Sequence, residues 1–199
     1  MDQDFLSLAP AREGHFRLES GHHGRLWLDL ETLFVDPVRV GPLVDALALK
    51  LRGHDVSAVC GPLVGGAFLA QALAAALRAE FWFAERVMPP EGHGLYRAEY
   101  HLPRSLRGRV GGKRIAIVDD AISAGSAVRG TYAELRARGA HPAVVATLLA
   151  LGSVGLSFFS DEHVPVIAMA QLPYDMWPPG ECPLCALAMP LEDVAGVPA

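Results

Sequence analysis

Short apolar runs alternate along the chain with longer stretches in which apolar residues recur at helical spacing. The run Ile-Ala-Ile-Val at residues 115–118 is short, β-branched and free of polar residues, which predicts a strand buried on both faces. Similar runs, some strictly alternating, predict further strands at residues 25–30, 56–60, 81–84, 143–151 and 164–170. The helical patterns predict helices at residues 37–52, 67–79 and 125–138.

Residues at the helix ends support these assignments. Asp36 followed by Pro37 is typical of a helix start, and Gly53 and Gly139 are placed where helices end. Repeated strand–helix alternation predicts right-handed crossovers and therefore an α/β fold with a central, mostly parallel sheet. At 199 residues the chain fits a single domain with a sizeable core.

Three stretches lack a regular pattern. Residues 87–94 contain Pro-Pro and Gly-His-Gly, which break regular structure. Residues 95–112 are polar and arginine-rich and end in two glycines, which fits a small hairpin or a mobile loop that closes over a ligand. The tail, residues 173–199, is rich in proline and shows no clear period.

Composition excludes several classes of protein. The chain is 51% hydrophobic and 20% charged, with a mean hydropathy of +0.26, so it is neither disordered nor fibrous. A net charge of −5 without a basic run disfavours nucleic acid as a partner. We expect no membrane span and no signal peptide. Three cysteines do not make a disulfide framework, which favours a reducing, cytoplasmic location.

The strongest candidate site follows the strand at residues 115–118. Asp119 and Asp120 come where the strand ends, the edge at which open α/β sheets bind ligands. Residues 123–127 (Ser-Ala-Gly-Ser-Ala) then form a loop of small residues before a helix, so their backbone N–H groups can bind a phosphate. Acids for sugar hydroxyls beside a phosphate loop predict a ribose-5-phosphate site.

This stretch closely resembles the 5-phosphoribosyl-1-pyrophosphate (PRPP) signature of type I phosphoribosyltransferases. The resemblance implies an enzyme that moves the phosphoribosyl group of PRPP to a nucleobase and releases pyrophosphate, with Mg²⁺ held, directly or indirectly, by Asp119 and Asp120. It implies that the PRPP site includes Asp119, Asp120, Ala121, Ile122, Ser123, Ala124, Gly125, Ser126 and Ala127. A catalytic role for the two acids and a homodimer are also implied.

The N-terminal region is similar to orotate phosphoribosyltransferases. Residues 14–21 match the Gly-x-Phe-x-Leu-x-Ser-Gly of that family's hood over the base, which implies base contacts from Phe16 and from Ser123. Residues 61–66 fall at the family's pyrophosphate loop, which adds Gly65 and Gly66 to the PRPP site. The resemblance divides the single domain into a hood with the first strand (1–35), a core (36–172) and a C-terminal tail (173–199).

The family's cations match unevenly. Arg97 matches the arginine of the family's mobile loop and is a catalytic candidate, whereas the lysine of the pyrophosphate loop falls at Val64 or Gly65. Glu19 replaces a lysine of the hood, and the arginine that holds the orotate carboxylate falls near Ser153. An unpaired carboxylate is costly to desolvate, so the sequence predicts that orotate is a poor substrate.

Several alternatives remain open at the level of sequence. The chain fits a transferase for another base, such as a purine, or a regulator that binds PRPP or a nucleotide without turnover. Cys182 and Cys185 form a C-x-x-C pair, which is half of a zinc site, but two reduced cysteines in a turn are at least as well supported. His22 and His23 fit contacts to the base or phosphates and fit a solvated turn equally well.

Overall fold

The computed structural model describes residues 10–89 and 94–194. Three predicted segments extend beyond the described residues. They are the hood, at residues 1–9, the break in regular structure, at residues 90–93, and the tail, at residues 195–199. In chain order the strands are β1 (Ala11–Arg17), β2 (His23–Leu28), β3 (Ala58–Pro62), β4 (Glu80–Val87), β5 (Glu99–His101), β6 (Arg114–Ile122), β7 (His141–Leu151), β8 (Val166–Leu172), β9 (Met176–Trp177) and β10 (Glu192–Asp193). The α-helices are α1 (Pro37–Leu51), α2 (Gly65–Leu77), α3 (Ser126–Ala137), α4 (Val154–Asp161) and α5 (Pro183–Ala186).

Six strands form the central sheet, in the order β5-β4-β3-β6-β7-β8. Neighbours pair in parallel except at the β4–β5 edge, which is antiparallel. The predicted α/β fold with a mostly parallel sheet is therefore confirmed. The predicted strands and helices are present, with ends that shift by a few residues. Strands β1, β9 and β10 and the short helices α4 and α5 were not predicted.

Strand β6 shows why the central run is apolar throughout. Its side chains alternate between the two faces of the sheet, and helices cover both faces. Ile117 packs in the cluster that contains Val128 of α3, and Val118 packs in the opposite cluster with Leu69 of α2. Both β6 side chains are completely buried, so the strand and the acids near its carboxyl end have a fixed position.

The start of α1 follows the predicted capping chemistry. The Asp36 carboxylate accepts hydrogen bonds from the backbone N–H groups of Val38 at 3.0 Å and Arg39 at 3.4 Å, and Pro37 occupies the first turn. These bonds satisfy donors that have no partner within the helix. The predicted helix start at Asp36-Pro37 is thus confirmed.

A second sheet, which we call the hood sheet, has the order β10-β1-β2-β9. Strands β1 and β2 form an antiparallel hairpin, β9 pairs with β2, and β10 pairs with β1. The tail without a clear sequence period therefore adds a strand to each edge of the N-terminal hairpin. The two ends of the chain build one substructure.

The arginine-rich stretch at residues 95–112 contributes one short strand, β5, and a hairpin within the stretch is not present. Strand β5 pairs with β4, and Leu102 and Val110 are completely buried in the core. Closure over a ligand is untested and stays a prediction. Within residues 10–89 and 94–194, no helix has the length and apolar character needed to cross a bilayer.

Candidate active site

The two adjacent acids lie at the carboxyl end of β6. The backbone N–H of Asp120 donates to Asp119 Oδ1 at 3.1 Å, and that of Ala121 donates to Asp120 Oδ1 at 2.8 Å. Thr147 of β7 donates its hydroxyl to the Asp120 carbonyl oxygen at 3.1 Å, which ties the end of β6 to the next strand. These bonds hold both carboxylates at the sheet edge where the fold class places its ligands.

Burial governs the charge state of this pair. Loss of hydration raises the pKa of both carboxyls, and repulsion from Asp120 raises that of Asp119 further. An adjacent cation would oppose both effects. Paired carboxylate oxygens are the hard donors that Mg²⁺ prefers, so Asp119 and Asp120 fit a magnesium ion, held directly or through water.

The pyrophosphate loop, residues 61–66, passes directly against these acids. A Cβ atom at Gly65 would overlap Asp120 Oδ2, and one at Gly66 would lie 2.6 Å from Asp119 Oδ1. Only glycine permits so close an approach of backbone and carboxylate. The structure thus brings the loop and the acids together, as the sequence predicts for one PRPP site.

Residues 123–127, which we call the 5′-phosphate loop after their predicted role, lead from β6 into α3. Gly125 has φ +80°, and a Cβ atom there would lie 3.0 Å from Gly155 Cα in α4. The Gly155 N–H donates to the Ser123 carbonyl oxygen at 2.9 Å, so α4 supports the loop from outside. A short loop at a helix N-terminus suits an anion.

A cavity of about 680 Å³ lies between the central sheet and the hood sheet. Both loops and both acids contribute to its wall, and Leu18, Trp27 and Leu28 of the hood supply an apolar side. Tyr174 and Val194, on either side of the tail strands, also line it. An apolar wall facing polar groups is the composition expected of a ligand site.

Carboxylates outnumber cations around this cavity. Its acidic residues are Glu19, Asp29, Glu31, Asp119 and Asp120. Arg86 is the one basic residue among the described residues that line it. A polyanion such as PRPP therefore needs a metal ion or cations from outside this wall.

Glu19 occupies a position that sequence reasoning noted only as a lost lysine. Its Oε1 accepts hydrogen bonds from the hydroxyls of Tyr100 at 2.6 Å and Ser126 at 3.0 Å. Its Oε2 lies 3.8 Å from Arg86 Nε. Burial and the neighbouring Glu19 raise the pKa of Tyr100, which keeps the phenol protonated as a donor. The hood thus contacts the 5′-phosphate loop through a carboxylate.

Most residues predicted for the PRPP site line the cavity. Those with cavity contact are Asp119, Asp120, Ala121, Ser123, Gly125, Ser126, Ala127 and Gly65. Ile122 and Ala124 are 1% exposed and pack inward, so only their backbone is available to a ligand. Gly66 is buried behind the acids.

Two predicted site residues lie away from the cavity wall. Phe16 is 2% exposed and packs with its ring against Gly14, and Arg12 stacks above it at 5.3 Å. Base contact from the Phe16 side chain is therefore inconsistent with this packing, and Leu18 and Trp27 are the hood residues that face the cavity. Arg97 directs its guanidinium at the Pro89 carbonyl oxygen, 3.5 Å away.

Sequence reasoning missed Arg86 and Tyr100 as cavity residues. Both lie at the β4–β5 edge of the central sheet, in segments whose spacing matched no motif. Arg86 lies two residues after Ala84 and four after Trp82, so it shares the strand face of these buried side chains. A charged residue on an otherwise apolar face of β4 was the available signal. His22 and His23 are buried rather than solvated, and neither lines the cavity.

The chain is similar to known proteins in sequence and in fold. No protein-family model matches the chain. An orotate phosphoribosyltransferase of Thermotoga maritima is 30% identical to it over 183 residues, which covers 90% of this chain and 89% of that protein. Similar solved structures include an adenine phosphoribosyltransferase from Thermoanaerobacter pseudethanolicus, with a TM-score of 0.67, 16% identity and coverage of 85% and 99% of the two chains.

An orotate phosphoribosyltransferase structure from Aeropyrum pernix has a TM-score of 0.63 and 22% identity, with coverage of 86% of this chain and 94% of that one. These two structures establish the fold, and the sequence relative establishes the family. The resemblance noted in the PRPP signature is therefore confirmed. The chain belongs to the orotate phosphoribosyltransferase family of type I phosphoribosyltransferases, enzymes that transfer the 5-phosphoribosyl group of PRPP to a nucleobase with release of pyrophosphate.

Proposed function

We propose that this cavity binds PRPP in a defined orientation and catalyses phosphoribosyl transfer to an uncharged base. Asp119 and Asp120 hold the ribose hydroxyls, the 5′-phosphate loop binds the phosphate, and the pyrophosphate loop binds the leaving group. The single observation that carries this assignment is the direct packing of Gly65 and Gly66 against the two acids. This packing supports a shared site in which one PRPP molecule contacts both the acids and the pyrophosphate loop.

The reaction is a displacement at the anomeric carbon. A ring nitrogen of the base forms the new bond while the bond to pyrophosphate breaks, and the departing group takes the bonding electrons. Carboxylates of Asp119 and Asp120 beneath the ribose stabilise the positive charge that develops on the sugar in the transition state. Arg86, the basic residue of the cavity wall, is placed to meet phosphate charge.

Magnesium fits this site, held by Asp119 and Asp120 directly or through water. When bound, it would neutralise part of the charge on the pyrophosphate of PRPP. The chain's own residues orient the sugar, and the apolar hood wall of Leu18, Trp27 and Leu28 keeps water from the base side. Because carboxylates predominate around the cavity, we expect PRPP binding to depend strongly on Mg²⁺.

The preference for an uncharged base follows from the same charge balance. The T. maritima relative is named for orotate, whose carboxylate needs a cation nearby. The resemblance implies that the family's arginine falls near Ser153 in this chain, and residues 151–153 contain no arginine. Among the hood arginines, Arg25 is exposed and Arg17 pairs with Asp193 at 3.1 Å, and neither lines the cavity. Arg86 of the cavity wall lies 3.8 Å from Glu19 and is assigned to phosphate charge, so an orotate carboxylate in this cavity would be desolvated without a cation of its own.

A pyrophosphate-release assay with PRPP and Mg²⁺ across orotate, uracil, adenine, guanine and hypoxanthine tests the proposal. We expect turnover with at least one uncharged base and a kcat/KM for orotate at least tenfold lower. A kcat/KM for orotate above ~10⁴ M⁻¹s⁻¹, within the ordinary enzyme range, would contradict the base assignment. PRPP binding without turnover on any base would instead point to a regulator.

We further propose that the enzyme is a cytoplasmic homodimer in which Arg97 serves the neighbouring subunit's site. Its own cavity has one basic residue in its described wall, and Arg97 lies outside that wall. Cys60, Cys182 and Cys185 form no disulfide, which fits a reducing compartment. The family resemblance implies both the dimer and the shared loop.

Subunit mixing tests the shared site. Asp120→Asn and Arg97→Ala are each expected to be nearly inactive alone, because each removes one group from every site. Mixed dimers contain one site with both native groups, so mixing should restore up to a quarter of the wild-type activity. No recovery after mixing, with dimers confirmed by sedimentation, would place Arg97 in its own subunit's site or outside catalysis.

A further inference from the structure

Four metal-ligating side chains from opposite ends of the chain converge in the hood sheet, away from the cavity wall. His15 and His23 come from the paired strands β1 and β2, and Cys182 and Cys185 come from the tail. One donor atom from each residue lies within 4.8 Å of the other three. Two imidazoles and two thiols are a donor set typical of structural zinc.

The distances match a tetrahedral ion. Zinc bonds of ordinary length at tetrahedral angles separate two nitrogens by about 3.3 Å, and nitrogen from sulfur by about 3.6 Å. His15 Nε2 and His23 Nδ1 are 3.0 Å apart. The nitrogen–sulfur distances are 3.4 Å and 3.6 Å from His15 Nε2 to Cys182 and Cys185, and 3.2 Å from His23 Nδ1 to Cys185. All lie within about 0.4 Å of the tetrahedral values, close enough for a small adjustment to accept the ion.

The protonation state of His15 supports ligation. Its Nδ1 lies 2.9 Å from the carbonyl oxygen of Met189, which can only accept, so Nδ1 carries the proton and donates. The other nitrogen, Nε2, is then an unprotonated donor for a metal. A hydrogen bond from one ring nitrogen to a backbone carbonyl is the usual way in which proteins orient a zinc-bound histidine.

Hydrogen bonding alone does not account for this convergence. With Nδ1 protonated, His15 Nε2 has a single lone pair, yet it faces His23 Nδ1, Cys182 Sγ and Cys185 Sγ together. One lone pair accepts one good hydrogen bond, which would leave the other two close approaches unexplained. A cation at the common centre accounts for all of them.

The two cysteines are presented as a unit. Cys182 precedes the short helical turn α5, which contains Cys185, so the C-x-x-C spacing places both sulfurs on one side of the turn. His15, His23 and Cys182 are buried, whereas Cys185 is at the surface and offers a path of entry. With four protein ligands the site has no open position, which is the character of a structural rather than a catalytic zinc.

We propose that His15, His23, Cys182 and Cys185 bind one Zn²⁺, and that this ion holds the C-terminal tail against the N-terminal hairpin. Binding releases the protons of the two thiols, since zinc takes thiolates. The site lies between β9 and β10, each of which has only two residues paired with the hairpin. Such short pairings are too weak to fix the tail by themselves.

Zinc would also set the shape of the substrate cavity. Tyr174 and Val194 flank the tail strands and line the cavity. The Tyr174 hydroxyl donates to the Leu26 carbonyl oxygen at 2.8 Å, so the tail reaches the hood wall directly. This consequence for substrate binding rests on the proposed function, whereas the metal site itself does not.

Metal content of the full-length protein tests the site. We expect one zinc per purified chain by mass spectrometry, and none in Cys182→Ser/Cys185→Ser. Cys60→Ala removes the third cysteine, which lies in β3, and should keep the zinc. Substitution with Co²⁺ should give the visible bands and thiolate charge-transfer bands of a tetrahedral site. Lack of zinc and of these bands after reconstitution with either ion would overturn the proposal.

Stability gives a readout that needs no variant. Removal of zinc from the wild-type protein with a chelator should lower Tm by about 5 °C or more, because the ion binds only the folded hood. An unchanged Tm after verified zinc removal would contradict the holding role. PRPP calorimetry on the wild-type protein separates the two proposals. A protein that binds PRPP but no zinc overturns only the metal site. A protein that binds zinc but no PRPP overturns only the proposed function.

Discussion

The central sheet and the hood sheet are built on different principles. The central sheet joins strands that follow one another through helices, and its buried faces are continuous apolar surfaces. The hood sheet joins strands of seven, six, two and two residues from both chain ends. Its outer contacts are exposed ion pairs, Arg12–Glu192 at 3.0 Å and Arg17–Asp193 at 3.1 Å. The central sheet is therefore a rigid platform that carries the candidate site residues, whereas the position of the hood sheet depends on a few long-range contacts.

Truncating a core side chain should have the largest effect on stability. Ile117→Ala leaves a cavity between the sheet and α3, since Ile117 is completely buried. We expect a loss of about 2–5 kcal/mol in the free energy of unfolding, measured by urea denaturation. Arg12→Gln breaks an exposed ion pair of the hood and should cost about 1 kcal/mol or less. Equal losses in the free energy of unfolding of the two variants would contradict this difference between the two sheets.

The contact between the pyrophosphate loop and the acids should dominate activity. In Gly65→Ala the new methyl group would overlap the Asp120 carboxylate and displace it. Displacement of a catalytic group by about 1 Å costs on the order of 100-fold in kcat/KM.

Gly41→Ala is the matched control, because a Cβ atom there meets nothing within 4 Å and the residue is inside α1. It should leave kcat/KM unchanged and stabilise the helix by about 0.5–1 kcal/mol. A Gly65→Ala variant with wild-type kcat/KM would mean that the loop and the acids do not act as one site.

Glu19 connects the hood sheet to the platform, and we expect its negative charge to weaken PRPP binding. Its carboxylate lies 3.0 Å from Ser126 Oγ in the 5′-phosphate loop, so it repels the phosphate. Glu19→Gln keeps the hydrogen-bond acceptor and removes the charge. We expect PRPP to bind more tightly, on the order of tenfold or ~1.4 kcal/mol, by calorimetry. Glu13→Gln, an exposed hood residue, is the charge-matched control; equal or weaker PRPP affinity in Glu19→Gln would contradict the repulsion.

The buried acids should make the substrate-free enzyme less stable as pH rises. Burial raises the pKa of Asp119 above the value of about 3.9 in the unfolded chain, so the folded state binds the proton more tightly. Stability therefore falls as pH increases from about 4 through the raised pKa and stays lower above it.

Asp119→Asn has no such proton to lose. Its Tm should exceed that of the wild-type protein by a few degrees at pH 7, and the difference should shrink at pH 4. Thermal melts across this pH range measure it, with Asp161→Asn, an exposed site in α4, as control. A wild-type Tm above that of Asp119→Asn at pH 7 would show that the buried, charged carboxylate does not destabilise the folded protein.

The sequence predicted the platform because its elements obey local rules. The apolar run before Asp119, the capped start of α1 and the small-residue loop at residues 123–127 each depend on neighbours in sequence. Burial on both faces then leaves little freedom in how the strands pair. The positions of the acids and of the 5′-phosphate loop followed from the fold class.

The part of the hood that the tail builds could not be predicted in this way. Strands β9 and β10 are too short for any hydrophobic period, and their partners lie more than a hundred residues away. The convergence of His15 with Cys182 depends on that long-range pairing, and the contact of Glu19 with Tyr100 depends on how the hood packs on the central sheet. Phe16 shows the limit of motif transfer, because its ring packs into the hood instead of the cavity.

Calorimetric titration of PRPP with Mg²⁺ into the wild-type protein and into Asp119→Asn/Asp120→Asn tests whether the two acids form the PRPP site. We expect saturable, Mg²⁺-dependent binding to the wild-type protein, about one PRPP per chain, and loss of this binding in the double variant at an undiminished Tm. PRPP affinity that is unchanged in the double variant would contradict the claim that these two acids and the loops around them form the PRPP site.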